Sequence, residues 1–180
     1  MGLFIEDGGG TGSHAQVKGG RLKTYAMTET GQHAVNESTG EAFSILVDAT
    51  TVAVNDQFFY MKNTGASHIH ITSVKGFVGT DTEVKVLTGV TGTATSPSTV
   101  TPISRTASSG VALSGTVQQG ADLQMTGGDT VDLFRMDAAL TGLFKLSWGS
   151  TIILPKNGTI CFESSAASTI NLTVSCFVHS

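Results

Sequence analysis

The stretch TIILPKNGTICFESSAASTINLTVSCFVHS, residues 151–180, alternates apolar and polar side chains over most of its length. Ile170, Leu172, Val174, Cys176 and Val178 fall on one side, and Asn171, Thr173 and Ser175 on the other. Nine residues of unbroken period two describe a strand with one buried face. A strand this long is expected in the middle of a sheet, where it completes a β-sandwich. Just upstream, Ile160 and Phe162 alternate with Thr159, Cys161 and Glu163. Before that, Ile152, Ile153 and Leu154 run into Pro155-Lys156-Asn157-Gly158, where Asn-Gly supplies the positive φ that a tight reversal needs.

The same period recurs along the rest of the chain. Strands are expected over 21–28, 42–47, 51–54, 58–62, 67–78, 82–90, 111–117, 131–136 and 143–148. Residues 58–62 (FFYMK) form a near-continuous apolar run, which predicts a strand buried on both faces. Asp81 is expected in the turn between 67–78 and 82–90. Residues 91–98, rich in Thr and Ser, read as an exposed crossing loop or projection, and 122–128 reads as one helical turn. Nowhere do apolar residues hold a helical period for three turns, so the chain is read as all-β, with turn signals spaced as in sandwiches.

Residues 1–24 read as an arm ahead of a β-sandwich domain over 25–180. Leu3, Phe4 and Ile5 form an apolar tip, followed by a glycine tract with Gly8, Gly9, Gly10 and Gly12, which neither helix nor strand favours. Either the tip docks on a partner surface or neighbouring subunit, or the segment is a frayed terminus.

Composition narrows the function. Charged residues make up 13% of the chain, against about 25% in ordinary domains. More than a third of it is Gly, Ser or Thr. A lightly charged, hydroxyl-rich surface is tolerable when partners cover it. The net charge of −4, without any Lys/Arg cluster, argues against nucleic-acid binding. No apolar run reaches the length of a membrane helix. Residues 1–7 (MGLFIED) are too short and too acidic for a secretory signal, so cytoplasmic synthesis is expected.

Catalytic chemistry has little support, and the chain is read as no enzyme, with no cofactor. Gly10-Thr11-Gly12-Ser13-His14-Ala15 matches GxGxxA formally but lacks the strand and helix a dinucleotide site requires. No GxSxG elbow, HExxH, P-loop or EF-hand pattern occurs. His68 and His70 share one strand face and are the candidate metal ligands, with Asp81 or Glu83 from the next strand as partners. The preferred reading is that the two imidazoles line a polar sheet face or a subunit contact. Asp129 and Asp132 are weighed as Ca²⁺ ligands against the simpler role of turn acids. Cys161 and Cys176 are expected as free thiols. If their strands paired through 165–168, the two would lie roughly 13 Å apart along the ladder, beyond disulfide reach.

The glycine-rich arm with its apolar tip, the Thr/Ser/Gly-rich β body, and the segments IILPKNGTICFE and INLTVSCFVHS together resemble small structural proteins of tailed bacteriophages. The nearest type is the capsid decoration, or cement, protein. The resemblance implies a jelly-roll-like antiparallel β-sandwich of about nine to ten strands with an extended N-terminal arm. It implies a homotrimer on the exterior of the virion capsid, bound to the major capsid protein, with Leu3, Phe4 and Ile5 as the anchor and Gly8, Gly9, Gly10 and Gly12 as the flexible tether. The alternative is a phage fibre or tail-attachment domain with a carbohydrate site. A carbohydrate-active enzyme would require a carboxylate partner for Glu163.

Overall fold

The computed structural model describes residues 17–18, 21–22, 41–106, 110–139 and 144–179, and no helix occurs among them. The chain forms two compact units, Met1–Thr30 and Gly31–Ser180. In the first, β1 (Val17–Lys18) pairs antiparallel with β2 (Arg21–Leu22), Val17 standing opposite Leu22. The rest of the strand expected over 21–28 lies outside the described residues, as do Leu3, Phe4, Ile5 and the glycine tether.

The second unit is an antiparallel jelly-roll sandwich. Its eight main strands are β3 (Ala42–Val52), β4 (Gln57–Asn63), β5 (His68–Val78), β6 (Thr82–Thr88), β10 (Asp129–Met136), β11 (Phe144–Leu154), β12 (Thr159–Ser164) and β13 (Ser168–His179). Three short strands, β7 (Ser98–Thr99), β8 (Ile103–Ser104) and β9 (Gly115–Gln119), belong to the excursion between β6 and β10. One sheet has the order β11-β5-β13-β3-β8 and the other β10-β6-β12-β4-β9-β7. Eleven strands thus stand in the two sheets, against the nine or ten expected.

The extra strands come from the excursion, but mergers also occur. The strands expected over 42–47 and 51–54 are one strand, β3, which carries an irregularity where Ile170 pairs with Thr50 and Leu172 with Val47. Those expected over 143–148 and 152–154 are likewise one, β11, with a register break between Ser147 and Ile152. Bulges let a single strand continue through residues that read as turns. Residues 122–128 form no helical turn; the segment is an irregular loop with Gln124 in the left-handed conformation, and Thr126 bridges Thr91. Leu123 and Met125 are buried there two residues apart, a strand-like spacing.

Consecutive strands mostly change sheet. β11 and β12, which flank Pro155-Lys156-Asn157-Gly158, lie in opposite sheets, so that turn is a corner and no hairpin forms. Asn157 does take the left-handed conformation, φ 65°. Gly158 is required by close approach: a Cβ there would come within 2.9 Å of the Pro155 carbonyl oxygen. β5 and β6 also lie in opposite sheets, as do β12 and β13.

The inner faces of both sheets supply one core. Phe162 sits at its centre, with ring centroids 4.9 Å from Phe59, 6.1 Å from Phe58 and 6.2 Å from Phe134. Phe134 of β10 stacks on Phe144 of β11 at 5.5 Å, joining the two sheets at one edge. The expected two-faced burial of β4 is present: Phe58, Phe59, Tyr60 and Met61 are all buried.

Each end of the sandwich is closed by a buried polar residue. At one end Asn63 donates through Nδ2 to the carbonyls of Ser67 (2.8 Å) and Leu154 (2.9 Å), while its Oδ1 accepts from the Gly65 N–H. At the other, Ser164 and Thr82 share a 2.8 Å hydroxyl contact. Asn63 ties β4 to the end of β11 across the two sheets, and it leaves no apolar substitute for its donors. Asn63→Leu should therefore lower the unfolding free energy by about 2–4 kcal/mol, since the buried Leu154 carbonyl and the partly buried Ser67 carbonyl lose their donor. Urea unfolding checks this as a fall in midpoint at unchanged slope; an unshifted midpoint would contradict the assignment.

Candidate functional site

The two outer faces of the sandwich differ in what lies over them. Over β6, β12 and β4, the excursion at 89–128 lays down a second small core of Tyr60, Leu87, Val90, Leu123, Met125 and Cys161. It is fastened by the Leu123 N–H to the Gln57 carbonyl (2.8 Å), the Met125 N–H to Gln57 Oε1 (2.6 Å), and the Thr159 hydroxyl to the Val90 carbonyl (2.9 Å). Residues 91–98 run mostly exposed along this side, and Ser98 and Thr99 pair with β9. Cys161 shares its strand face with Thr159 and Glu163, as the alternation predicts. That face is nonetheless shielded, and Cys161 is buried.

The outer face of β11-β5-β13-β3 has no such cover among the described residues. Strand register arranges it in rows. Ser44, Ser175, Ser73 and Ser147 stand in line across four strands. Leu46, Thr173, Lys75 and Lys145 form the next row on one side. Phe177, His70 and Ile153 form the next row on the other. Arg105 lies flat over the serine row, donating from Nε to Ser44 Oγ (3.0 Å) and from Nη2 to Ser175 Oγ (2.8 Å). Leu46, Phe77, Ile103 and Ile153 are 48%, 58%, 55% and 50% exposed on this face or at its edges. A groove of about 310 Å³ runs between Leu46 and Phe77 over Asn171 and Thr173. The face is hydroxyl-rich and apolar, and Asp48, Lys75, Lys145 and Arg105 are the fixed charges on its four strands and β8 edge.

His68 and His70 both lie on this face, joined by a third imidazole that sequence spacing does not reveal. β13 places His179 opposite His68 and Phe177 opposite His70. The His70 ring stacks on Phe177 at 4.8 Å and meets the His179 ring edge-on at 5.7 Å. Only strand pairing brings His179 there, so the sole available signal was the period-two pattern carrying β13 to its neighbour. The proposed acidic partners are elsewhere: Glu83 and Asp81 belong to β6 and its approach, in the opposite sheet. Asp81 accepts from the Ala138 N–H (2.8 Å) and from Arg135 Nη2 (3.3 Å), which hold its carboxyl below the usual range. No set of three metal-ligating side chains converges among the described residues.

The other acids are engaged structurally. Asp132 accepts from the Trp148 indole N–H of β11 and from the Leu133 N–H, linking the two sheets at their edge. Asp129 stands opposite Thr88 at the head of β10. Glu163 pairs with Lys85 at 2.6 Å. A recess of about 730 Å³ opens near the β11–β12 corner, lined by Tyr60, Lys62, Val131, Ile153 and Pro155 among others. Among the described residues Lys62 is its one charged lining residue, and neither a carboxylate nor an imidazole faces it. It offers no acid–base pair.

Two outcomes are expected from this environment. Cys161 and Cys176 are free and sit in opposite sheets; burial pushes both thiols up to about 12, with Glu163 and Asp122 adding to the effect at Cys161. Neither should react with a disulfide reagent at mildly alkaline pH in the folded protein, and both should react once denaturant is added; a fast-reacting thiol in the native state contradicts the burial. Burial first, then the like charges of His179 and His68, lowers the His70 pKa. The unfolded chain then takes up this proton more readily than the folded one, so the His70 contribution to stability is lost as pH falls through about 6.5. NMR titration should place the His70 midpoint below that value, and His179→Gln should raise it; a midpoint at or above it contradicts the account.

No family model matches the chain, and no curated protein or solved structure is significantly similar to it.

Proposed function

We propose that the chain is a structural virion protein of the capsid-decoration type, which binds the outer surface of a tailed-phage capsid as a homotrimer and reinforces the shell. The observation that carries this reading is the asymmetry of the sandwich. Among the described residues, the excursion covers one outer face and nothing covers the other, where aliphatic and aromatic side chains stand about half exposed. A monomer has no use for such a face, whereas an assembly buries it. Low charge and abundant hydroxyls fit the same use, because they allow desolvation without stranded ions.

The mechanism is binding, with no bond made or broken. Leu3, Phe4 and Ile5 anchor each subunit to the major capsid protein, and the glycines beside them provide reach. Burial of each apolar residue contributes about 1.5–3 kcal/mol before ordering costs. Three arms on one trimer act together, so modest individual contacts sum to firm attachment. The second reading, a fibre or tail-attachment domain, draws on the recess at the β11–β12 corner, where Lys62 and Asn157 offer polar groups to a host-surface sugar.

Light scattering should report a trimer for the whole chain. Replacement of Leu3, Phe4 and Ile5 by Ser should leave the trimer intact but abolish co-sedimentation with capsids. A monomeric protein, or one that binds glycans and ignores capsids, would overturn the decoration reading.

A further inference from the structure

The edges of the sandwich are as unequal as its faces. On one side the sheets end in β7 and β8, two residues each. On the other they end in β10 and β11, of 8 and 11 residues. Long open edges invite pairing with another chain, and proteins ordinarily blunt them with short strands or inward charges. β10 carries an inward Asp132 and a bulge, yet it also exposes apolar side chains. Val131 and Leu133 on it are each 51% exposed, and a register break between Thr130 and Asp132 pushes Val131 outward. The molecule therefore carries two separate apolar patches, the bare face with Leu46 and Phe77 and the β10 edge with Val131 and Leu133.

We infer that these two patches are the two halves of one subunit contact, in which the β10 edge of one copy of the chain seats in the Leu46–Phe77 groove on the bare face of the next. This rests on the homotrimer reading above and specifies its interface. Closed rings of three require a heterologous contact, with different surfaces on the two sides, and a chain bearing two unlike apolar patches meets that requirement. Charge points the same way. Lys75 and Lys145 stand directly opposite each other on the bare face, an unfavourable like-charge pair that an incoming carboxylate relieves. Asp129, exposed at the head of β10, brings such a carboxylate. The serine row presents little relief, and Arg105 is laid down on it, so an edge strand can approach the sheet closely.

Cysteine cross-linking tests the pairing directly, because the two native thiols are buried. Under mild oxidation the double variant Phe77→Cys/Leu133→Cys should give covalent dimers and trimers and nothing larger. Neither single variant should cross-link. Phe77→Asp and Leu133→Asp should each shift the protein from trimer to monomer at least tenfold in apparent affinity; both sites are exposed, and an unchanged circular dichroism spectrum will show that the fold survives. Dimers from Phe77→Cys alone would mean that like faces meet, and a trimer that resists both Asp variants and does not cross-link would place the contact elsewhere; either result overturns the inference while leaving a trimeric decoration protein standing. A wild-type monomer in the same scattering experiment removes the homotrimer reading itself, and a cross-linked ladder beyond three overturns the closed ring.

Discussion

The fold depends on β13 lying between β3 and β5. Along β13, Ile170, Leu172, Val174 and Cys176 face the core while both ladder edges are bonded, Cys176 to Phe43 on one side and to Ile71 on the other. The pairing joins residues more than a hundred positions apart, since Phe177 stands opposite both Ala42 and His70. Until β13 is in place, β3 and β5 have no common neighbour and the five-stranded sheet does not exist. A topology of this kind postpones its stabilising contacts until long loops have closed, which makes slow folding the physical expectation. Gly76 shows how tightly the strand is held: a Cβ there would lie 2.0 Å from the Asn171 carbonyl oxygen, so only glycine permits the approach.

Much of this was legible in the sequence, because period two is a local property. The alternation of β13, its central position, the two-faced burial of β4 and the absence of helix follow from residues read in order. Partnership is not local, and there the reading failed. Pro155-Lys156-Asn157-Gly158 looks the same whether it closes a hairpin or turns a corner between sheets, and the sequence holds no mark of the difference. Asp81 and Glu83 were expected beside His68 and His70 on that account, whereas the change of sheet after β5 takes them away. His179 was missed for the converse reason. Strands expected to stop at Asp48-Ala49-Thr50 and near Trp148 continue, because a bulge absorbs residues that resemble turn formers. The mistaken helical turn at 122–128 came from a segment too short to show any period, whose Leu123 and Met125 are buried by tertiary contact alone.

The working surface was legible in kind but not in place. Low charge and abundant hydroxyls announced faces suited to contact. Which face is covered among the described residues follows from the path of 89–128, which lies over β6, β12 and β4. The same excursion adds short strands to one edge of each sheet, and among the described residues β10 and β11 form the other edge. One insertion thus accounts for the buried Cys161 and the second small core.

The most direct test of this account is hydroxyl-radical footprinting of the intact protein at working concentration, with each residue's oxidation compared to that in the unfolded chain. Phe77 and Val54 have the same exposure in the single chain, 58%, but only Phe77 lies on the surface assigned to assembly. The account predicts strong protection of Phe77, together with Leu46 and Leu133, and little protection of Val54. Equal oxidation of Phe77 and Val54 would show that the bare face is open to water in solution, and would contradict the claim that it is where the chain meets its own kind.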